Sequence, residues 1–197
     1  MRSAIHESAS NQLFSEARSY SEWSDEPVAE QTLRAVYEQL KWGPTAFNSC
    51  PARFVWVRSA AGKAKLAALA MEFNRAKILA APVTVIVGND FAFADTVPKL
   101  NPERAAMIVP LLKQSGIVAE TAMRSGSLQG AYLIIAARAL GLDCGPMSGF
   151  NNAAVDEAFF AGTQIQSNFI CSIGYGKPGT PRPRNLRLTF EEAGWFA

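Results

Sequence analysis

The run VTVIVG at residues 83–88 decides the class of fold that this sequence predicts. It is apolar at nearly every position and rich in β-branched residues, which is typical of a strand buried on both faces of its sheet. RFVWVR at 53–58 alternates apolar with charged or bulky residues, and NFICSIGYG at 168–176 predicts a third strand. Because helical segments separate these strands irregularly, the sequence predicts an α+β fold rather than strict βαβ alternation.

Helical periodicity fills most of the chain between these strands. Helices are predicted over residues 11–19, 28–42, 60–79 with a break near Asn74, about 116–140, and 155–160. Small residues in the middle of the longest helix predict close approach of another helix. Loops are predicted at 43–51 and 141–150. Residues 90–115 contain three prolines and no steady period, so we expect a mobile excursion or lid there.

Composition limits the classes of partner that this chain can have. Its 197 residues suit one domain covering residues 1–197, and a net charge of +2 gives no support for nucleic-acid binding. Apolar residues make up 49% of the chain against 18% charged, and a subunit interface would bury that surplus. The longest apolar stretch contains Arg138 and is too short to span a bilayer, so we expect a soluble, cytoplasmic protein without a membrane partner.

The inventory of reactive side chains excludes several mechanisms. The single histidine, His6, lies near the N-terminus, which argues against a metal site and against Ser–His–Asp or Cys–His catalysis. The three cysteines are far apart and form no CxxC pair, so we expect neither disulfides nor zinc but a reducing compartment. Neither a Rossmann glycine motif nor a P-loop is present. Redox chemistry supplied by a bound cofactor remains open.

Five segments resemble the nitroreductase family of FMN flavoenzymes, in that family's order and spacing. They are ARSYSEW (17–23), KWGPTAFNSCPARF (41–54), NRAK (74–77), ALGLDCGPMSGF (139–150) and RNLRLTFEE (184–192). Within the family, the sequence is most similar to the malonic semialdehyde reductase branch of pyrimidine degradation. The resemblance implies a mixed central sheet flanked by helices, an extended C-terminal arm, and a homodimer with two FMN molecules at its subunit interface.

The resemblance also assigns cofactor-binding positions. The FMN phosphate would be bound by Arg18, Ser19, Arg184 and, as a weaker match, Arg182. The flavin pyrimidine edge and ribityl chain would meet Asn74 and Lys77. The partner subunit would contribute Pro44, Thr45, Ala46 and Asn48, and the segment facing flavin N5 and O4 would be Pro146, Met147, Ser148 and Gly149.

Two departures from the family pattern bear on phosphate and substrate binding. Ser21 and Glu22 stand where typical members carry a second basic residue, which weakens the phosphate site unless the tail arginines compensate. Ala52 and Arg53 follow the loop proline where many members have an aromatic residue. The space and positive charge suit a small substrate bearing a carboxylate, so Arg53 is a candidate substrate-binding residue, although an arginine that opens a strand is usually solvated.

The resemblance implies an FMN-dependent NAD(P)H oxidoreductase in which hydride passes through flavin N5 in a ping-pong relay. Malonic semialdehyde would be reduced to 3-hydroxypropionate, and no side chain would act as a catalytic nucleophile. Two alternatives stay open: a nitro- or quinone reductase that accepts many small electron acceptors, and a flavin-binding protein without turnover. The sequence carries no fingerprint that separates NADH from NADPH.

Overall fold

A single antiparallel sheet forms the centre of the computed structural model, which describes residues 3–114 and 116–197. Its four strands are β1 (Ala52–Val57), β2 (Val83–Asp90), β3 (Asp143–Met147) and β4 (Ile165–Gly174), in the order β1-β2-β4-β3. All three neighbouring pairs are antiparallel, and a parallel pairing occurs at an isolated bridge between Ser19 and Cys144. The predicted α+β class is confirmed.

Helices account for most of the remaining chain. They are α1 (Glu7–Ser10, continued by a π-helical turn Asn11–Ser15), α2 (Glu30–Leu40), α3 (Ala60–Ala68), α4 (Glu72–Ala80), α5 (Val97–Leu100), α6 (Ala105–Leu112), α7 (Ile117–Ala139), α8 (Asn152–Phe160) and α9 (Phe190–Ala193). Short 3₁₀ turns lie at Ala46–Asn48, Phe93–Thr96 and Pro102–Arg104. The first helix begins and ends earlier than the predicted range of 11–19. Among the described residues, no helix is both long and apolar enough to cross a membrane.

Strand β2 is buried on both faces, as its sequence predicts. Val83, Val85 and Val87 belong to a core cluster with residues of α2 and α7. Ile86 points to the opposite face and belongs to a second cluster with residues of α3, α4 and α8. The sheet is therefore a central layer with helices on each side, which is the arrangement that a fully apolar strand requires.

The two glycines in the middle of α7, Gly126 and Gly130, face the sheet rather than another helix. A Cβ atom added at Gly126 would lie 1.9 Å from Asn89 Oδ1, and one added at Gly130 would lie 2.4 Å from the Phe169 ring. Asn89 belongs to β2 and Phe169 to β4. The prediction of a packing role for these glycines is confirmed, but their partner is the sheet.

The structure contradicts two further predictions, which concern the loop at 141–150 and the position of the break in the 60–79 helix. The predicted loop at 141–150 contains β3, which pairs with β4 at the edge of the sheet. Pro146 is tolerated there because an edge strand can lack a backbone donor. The break in the 60–79 helix falls between Ala68 and Glu72 rather than near Asn74. At the break, Ala70 forms a bridge with Phe150 and interrupts the helix.

Residues 90–115 are more ordered than the sequence predicts. Four short helical pieces occupy most of the described part of this segment. Phe93, Val97, Ile108 and Leu112 are buried in a third cluster that includes Ala122 of α7. The described part of this segment is therefore helical rather than irregular and has an apolar core of its own, while its mobility stays a prediction. Ser115 lies outside the described residues.

Two segments near the ends of the chain, residues 22–24 and 175–177, meet beside β3. The backbone N–H of Ser24 donates to the Tyr175 carbonyl over 2.8 Å, and that of Lys177 donates to the Glu22 carbonyl over 3.1 Å. These bonds fix the start of residues 177–197, hereafter the C-terminal arm. Beyond it the arm is largely exposed: Leu186 keeps 95% of its accessible surface and Trp195 keeps 84%.

Candidate functional site

A cavity of about 810 Å³ lies between residues 17–22, the end of β3 and the C-terminal arm. This volume is within the range typical of small-molecule sites. Its lining includes the predicted positions Arg18, Ser19, Lys77, Pro146, Met147, Arg182 and Arg184. These residues are distant in sequence, and β3 and the paired chain ends bring them together.

Positive charge dominates this cavity. Its charged lining residues are Arg18, Lys77, Arg138, Arg182, Arg184 and Arg187, against one carboxylate, Glu22. Arginine and lysine are the donors that form strong charge-assisted hydrogen bonds with phosphate. Ser21 and Glu22, where the sequence lacks the expected second basic residue, line the same cavity as Arg182 and Arg184. The arginines of the C-terminal arm therefore place positive charge in the cavity where that residue is missing. Sequence reasoning missed Arg138 and Arg187 as site residues, although a charge inside an apolar helical stretch was a signal for Arg138.

Two arginines join the walls of the cavity. Arg184 Nη2 donates to the carbonyl oxygens of Ser15 and Ala17, at 2.6 and 2.9 Å. In the opposite direction, Arg18 Nη2 donates to the carbonyl oxygen of Arg182. A guanidinium group has five N–H donors, so each arginine can bind a carbonyl and still present donors to an anion.

A hydrogen-bonded chain connects Lys77 to the loop after β3. Lys77 Nζ donates to Asn74 Oδ1 over 3.1 Å, and Asn74 Nδ2 donates to the Gly149 carbonyl over 3.1 Å. Asn74 is 2% exposed. A Cβ atom at Gly149 would lie 2.7 Å from Asn74 Nδ2, so glycine permits this close contact. Ser148, between Met147 and Gly149, is exposed.

Asp143 anchors the beginning of the C-terminal arm. Its Oδ2 accepts a hydrogen bond from the Gly176 N–H over 2.9 Å. Burial raises the pKa of Asp143, while the Gly176 bond and the attraction of Arg138 oppose that rise. Burial and the nearby Asp143 carboxylate also raise the pKa of Tyr20, against the lowering effect of Arg18. The partly buried Asp143 carboxylate thus lies close enough to Tyr20, a residue of the cavity wall, to affect its pKa.

The predicted positions Pro44, Thr45, Ala46 and Asn48 do not line this cavity. They belong to a separate loop, in which the Ala46 N–H donates to Ser125 Oγ over 3.3 Å and Asn48 Nδ2 donates to the Leu100 carbonyl over 3.1 Å. Both contacts lie against α7 and the helical segment 93–112. Within one chain, the structure therefore separates this loop from the cationic cavity.

Arg53 is paired rather than free. Its Nη2 atom lies 2.6 Å from Asp90 Oδ2. Its Nη1 atom donates to the carbonyl oxygens of Cys50 and Ala52, each at 2.9 Å. A substrate carboxylate at Arg53 would have to compete with Asp90 for the guanidinium.

Metal coordination does not emerge from the side-chain geometry. In the ranges 3–114 and 116–197, no group of three or more His, Cys, Asp or Glu side chains is placed to hold a metal ion. The candidate functional site is therefore the cavity lined by arginine and lysine side chains.

Comparison with known proteins identifies the family of this chain. Two relatives are similar over nearly the whole length, and their shared name proposes NADH dehydrogenase/NAD(P)H nitroreductase activity. The protein from Xanthomonas oryzae pv. oryzae is 55% identical over 196 residues and covers 100% of both chains. The one from Ralstonia pickettii is 54% identical over 183 residues, which are 92% of this chain and 93% of the relative.

Solved structures share the fold at lower identity. A proposed nitroreductase from Bacillus subtilis has a TM-score of 0.87 and 23% identity, covering 98% of this chain and 100% of the other. A proposed nitroreductase from Exiguobacterium sibiricum, solved in complex with FMN, has a TM-score of 0.84 and 20% identity, covering 100% and 99%. The Nitroreductase family model matches residues 15–177. This chain therefore belongs to the nitroreductase family.

Proposed function

We propose that this chain is an FMN-dependent NAD(P)H oxidoreductase that acts as a homodimer. One observation carries the proposal: Arg18, Lys77, Met147 and Arg184, from four distant parts of the chain, line one cavity with a large excess of cations. The phosphate group of FMN carries close to two negative charges, and burying it requires several charge-assisted donors. The FMN-bound structural neighbour supports this cofactor, and the names of the relatives support NAD(P)H as the co-substrate.

The donor set fits FMN at both ends. Arg18 and Ser19, with Arg182 and Arg184 on the arm, would hold the phosphate. Lys77, oriented by its bond to Asn74, would place a positive charge at the pyrimidine edge, where it stabilises negative charge on the ring. Bound FMN would supply hydride acceptance and donation at its N5 atom, so no side-chain nucleophile is required.

The end of β3 and the residues that follow it would be held rigidly beside the reacting atoms. The Gly149 carbonyl accepts from the Met71 N–H at 3.0 Å and from Asn74 Nδ2 at 3.1 Å. Pro146 has no backbone donor, so Met147, Ser148 and Gly149 supply the N–H groups of this segment. In this proposal these residues orient the cofactor and help to exclude water, and the chemistry belongs to the bound group.

Exposed apolar side chains on the arm, and the position of the 44–48 loop away from the cavity, support the homodimer. Leu186 and Phe196 on the arm keep 95% and 92% of their surface, a cost that burial against a second subunit would remove. The loop at 44–48 lies away from the cavity of its own chain. It would therefore complete the cofactor site of the partner subunit, as the family resemblance implies.

For the acceptor, we propose malonic semialdehyde, which would be reduced to 3-hydroxypropionate. This assignment rests on the resemblance of KWGPT, PARF and LGLDCGPMSGF to the corresponding branch of the family. The relatives' names favour a second candidate, NAD(P)H-dependent reduction of nitro compounds. Arg53 would recognise the aldehyde's carboxylate only by exchanging its bond to Asp90.

We further propose that residues 1–197 form a single domain located in the cytoplasm. Cys50, Cys144 and Cys171 are free thiols, which suits a reducing compartment.

Anaerobic reduction tests the proposed function. Purified protein reconstituted with FMN is mixed with NADPH or NADH, and the visible flavin absorption is followed. Bleaching faster than that of free FMN is expected, and bleaching at the free-flavin rate would reduce the chain to a flavin-binding protein.

A comparison of acceptors then identifies the substrate class. We expect kcat/KM for malonic semialdehyde to exceed that for a nitroaromatic compound and for a quinone by orders of magnitude, and the reverse order would assign a nitro- or quinone reductase. Arg53→Ala should raise KM for the aldehyde, whereas Arg34→Ala, which removes an exposed arginine paired with Glu30, should not. Unchanged aldehyde kinetics in Arg53→Ala would remove Arg53 from the site.

A further inference from the structure

The loop Thr45–Cys50 has a strained backbone. Phe47, Asn48 and Cys50 have φ angles of 55°, 58° and 43°, in the left-handed region that residues other than glycine rarely adopt. Such conformations persist only where the surroundings over-determine them, and they concentrate at functional sites. The contacts that hold this loop therefore matter to whatever the loop does.

Helix α7 holds both ends of the loop. The Ser125 hydroxyl accepts from the Ala46 N–H at 3.3 Å, and Gln129 Oε1 accepts from the Ala52 N–H at 2.8 Å. Ser125 and Gln129 are 2% and 4% exposed and lie one helical turn apart on the same face. The ends of the loop are thus fixed to a helix that packs directly on the sheet.

A reciprocal pair of hydrogen bonds holds the tip of the loop. Asn48 Nδ2 donates to the Leu100 carbonyl over 3.1 Å, and Asn101 Nδ2 donates back to the Phe47 carbonyl over 3.3 Å. Asn101 lies between α5 and the 3₁₀ turn Pro102–Arg104. The peptide bond between Phe47 and Asn48, where the backbone is left-handed, is therefore fixed from the helical segment 93–112.

That segment is a firm support for the contact. Phe93, Val97 and Ile108 are buried in the cluster that this segment forms with α7. The side-chain amide of Asn101 thus connects the helical segment 93–112 to the strained tip of the loop. Its side chain is part of neither the cationic cavity nor the loop itself.

We propose that Asn101 is a positioning residue for the loop Thr45–Cys50, which the proposed function places beside the partner subunit's flavin. It holds the Phe47–Asn48 peptide in the conformation that the loop presents to the partner subunit's flavin, and it leaves the phosphate site untouched. This inference rests on the proposed function, because that function places the loop beside the flavin. Loss of Asn101 should therefore weaken acceptor binding more than FMN binding, because the phosphate donors stay in place.

The first test uses the protein without FMN and needs no activity. In Asn101→Ala, amide hydrogen exchange of a peptide spanning 43–51 should be about 3- to 10-fold faster, the factor expected for losing one hydrogen bond, while exchange of β2 stays unchanged. Lys99→Ala, an exposed neighbour on α5, is the matched control and should leave both peptides unchanged. Unchanged exchange at 43–51 in Asn101→Ala would overturn the proposal.

The second test separates positioning from general damage to the fold. Asn101→Ala should raise KM for the acceptor about 3- to 10-fold, and the FMN dissociation constant should rise by a smaller factor because the phosphate donors are unchanged. Asn48→Ala and the double variant complete a double-mutant cycle. The effects of the two substitutions on KM for the acceptor, expressed as free energies, should be non-additive. An additive cycle, or an equal loss of FMN affinity, would assign Asn101 a purely structural role and overturn the proposal.

The cofactor chemistry of the chain and the positioning role of Asn101 are distinguishable by experiment. If the unaltered protein does not bind FMN or oxidise NAD(P)H, the proposed function is wrong, and the acceptor role of Asn101 is lost with it. If the unaltered protein is active and Asn101→Ala keeps the original acceptor KM, only the positioning role is wrong.

Discussion

Arg184 Nη2 lies 2.9 Å from the carbonyl oxygen of Ala17, which joins the C-terminal arm to the residue that precedes Arg18. The bond brings two arginines from opposite ends of the chain to the same cavity. Arg18 makes the complementary contact with the backbone of the arm at Arg182. The arm is therefore a wall of the proposed phosphate site as well as a candidate for dimer contacts.

Removing the Arg184 guanidinium should weaken FMN binding. Arg184→Ala is expected to raise the FMN dissociation constant about 10- to 100-fold, because a hydrogen bond to a charged group is lost together with the attachment of the arm. The FMN dissociation constant of Arg184→Lys should fall between those of the original chain and Arg184→Ala, since lysine keeps the charge but not the planar set of donors. Fluorescence quenching of FMN titrated into apoprotein measures this, with Arg34→Ala as control. Unchanged affinity in Arg184→Ala would place the phosphate elsewhere.

A methyl group at Gly149 should disrupt the contact with Asn74. Gly149→Ala places a Cβ atom 2.7 Å from Asn74 Nδ2 and 3.0 Å from the Phe73 ring, so the chain must shift. We expect a loss of about 1–3 kcal/mol in the free energy of unfolding, measured in urea. At Gly194 the nearest atom would be 3.2 Å away, on the exposed Phe190 ring. Gly194→Ala should cost far less, and equal losses in both variants would contradict the argument.

Asp143 should make stability depend on pH in a defined direction. Burial raises its folded pKa above the ordinary value of 3.8, so the folded state binds this proton more tightly than the unfolded state. The contribution of Asp143 to stability therefore falls as pH rises from about 3.8 through the raised folded pKa. Asp143→Asn keeps an oxygen for the Gly176 N–H and removes the titration.

Urea unfolding of both forms across this pH range checks the sign. The original chain should lose stability relative to Asp143→Asn as pH rises. Glu30, whose pKa is lowered by Arg34 and Arg58, titrates in both proteins and cancels in the difference. Parallel stability curves would show that Asp143 titrates as an ordinary surface carboxyl.

Deleting the exposed part of the arm should weaken the dimer. A chain ending at Asn185 retains Arg182 and Arg184 but loses Leu186, Trp195 and Phe196, whose surfaces are 84–95% exposed in the single subunit. We expect it to sediment as a monomer at concentrations where the full chain is a dimer, because apolar burial drives such association. Ile5→Ala, which trims an exposed apolar residue elsewhere, is the control. A truncated chain that remains dimeric would assign the interface to other surfaces.

The strands whose side chains alone signal burial were predictable from the sequence. In β2, four of the five residues Val83–Val87 are buried and apolar, and β-branched side chains favour a strand. β3 was missed because Gly145 and Pro146 are normally loop residues. They are allowed in β3 for two reasons that depend on tertiary structure. β3 is an edge strand, and a Cβ at Gly145 would lie 2.3 Å from the Tyr20 carbonyl oxygen.

The site was predictable where family motifs fix residue identities, and unpredictable where a fold contact decides. The motifs indicated Arg18, Lys77 and Arg184, and the structure places them around one cavity. The pairing of Arg53 with Asp90 was not predictable, because it depends on the register of β1 beside β2. The buried core of residues 93–112 was also missed, since short helices beginning at Pro102 or near Pro98 show no sustained period.

The burial of two cysteines gives the native chain a built-in reporter. Cys144 and Cys171 are enclosed in the core, whereas Cys50, within the strained loop, is only partly buried in the single subunit. A maleimide dye would therefore react with the unmodified protein at a single position, without prior mutagenesis. Its fluorescence would report directly on rearrangements of the loop Thr45–Cys50.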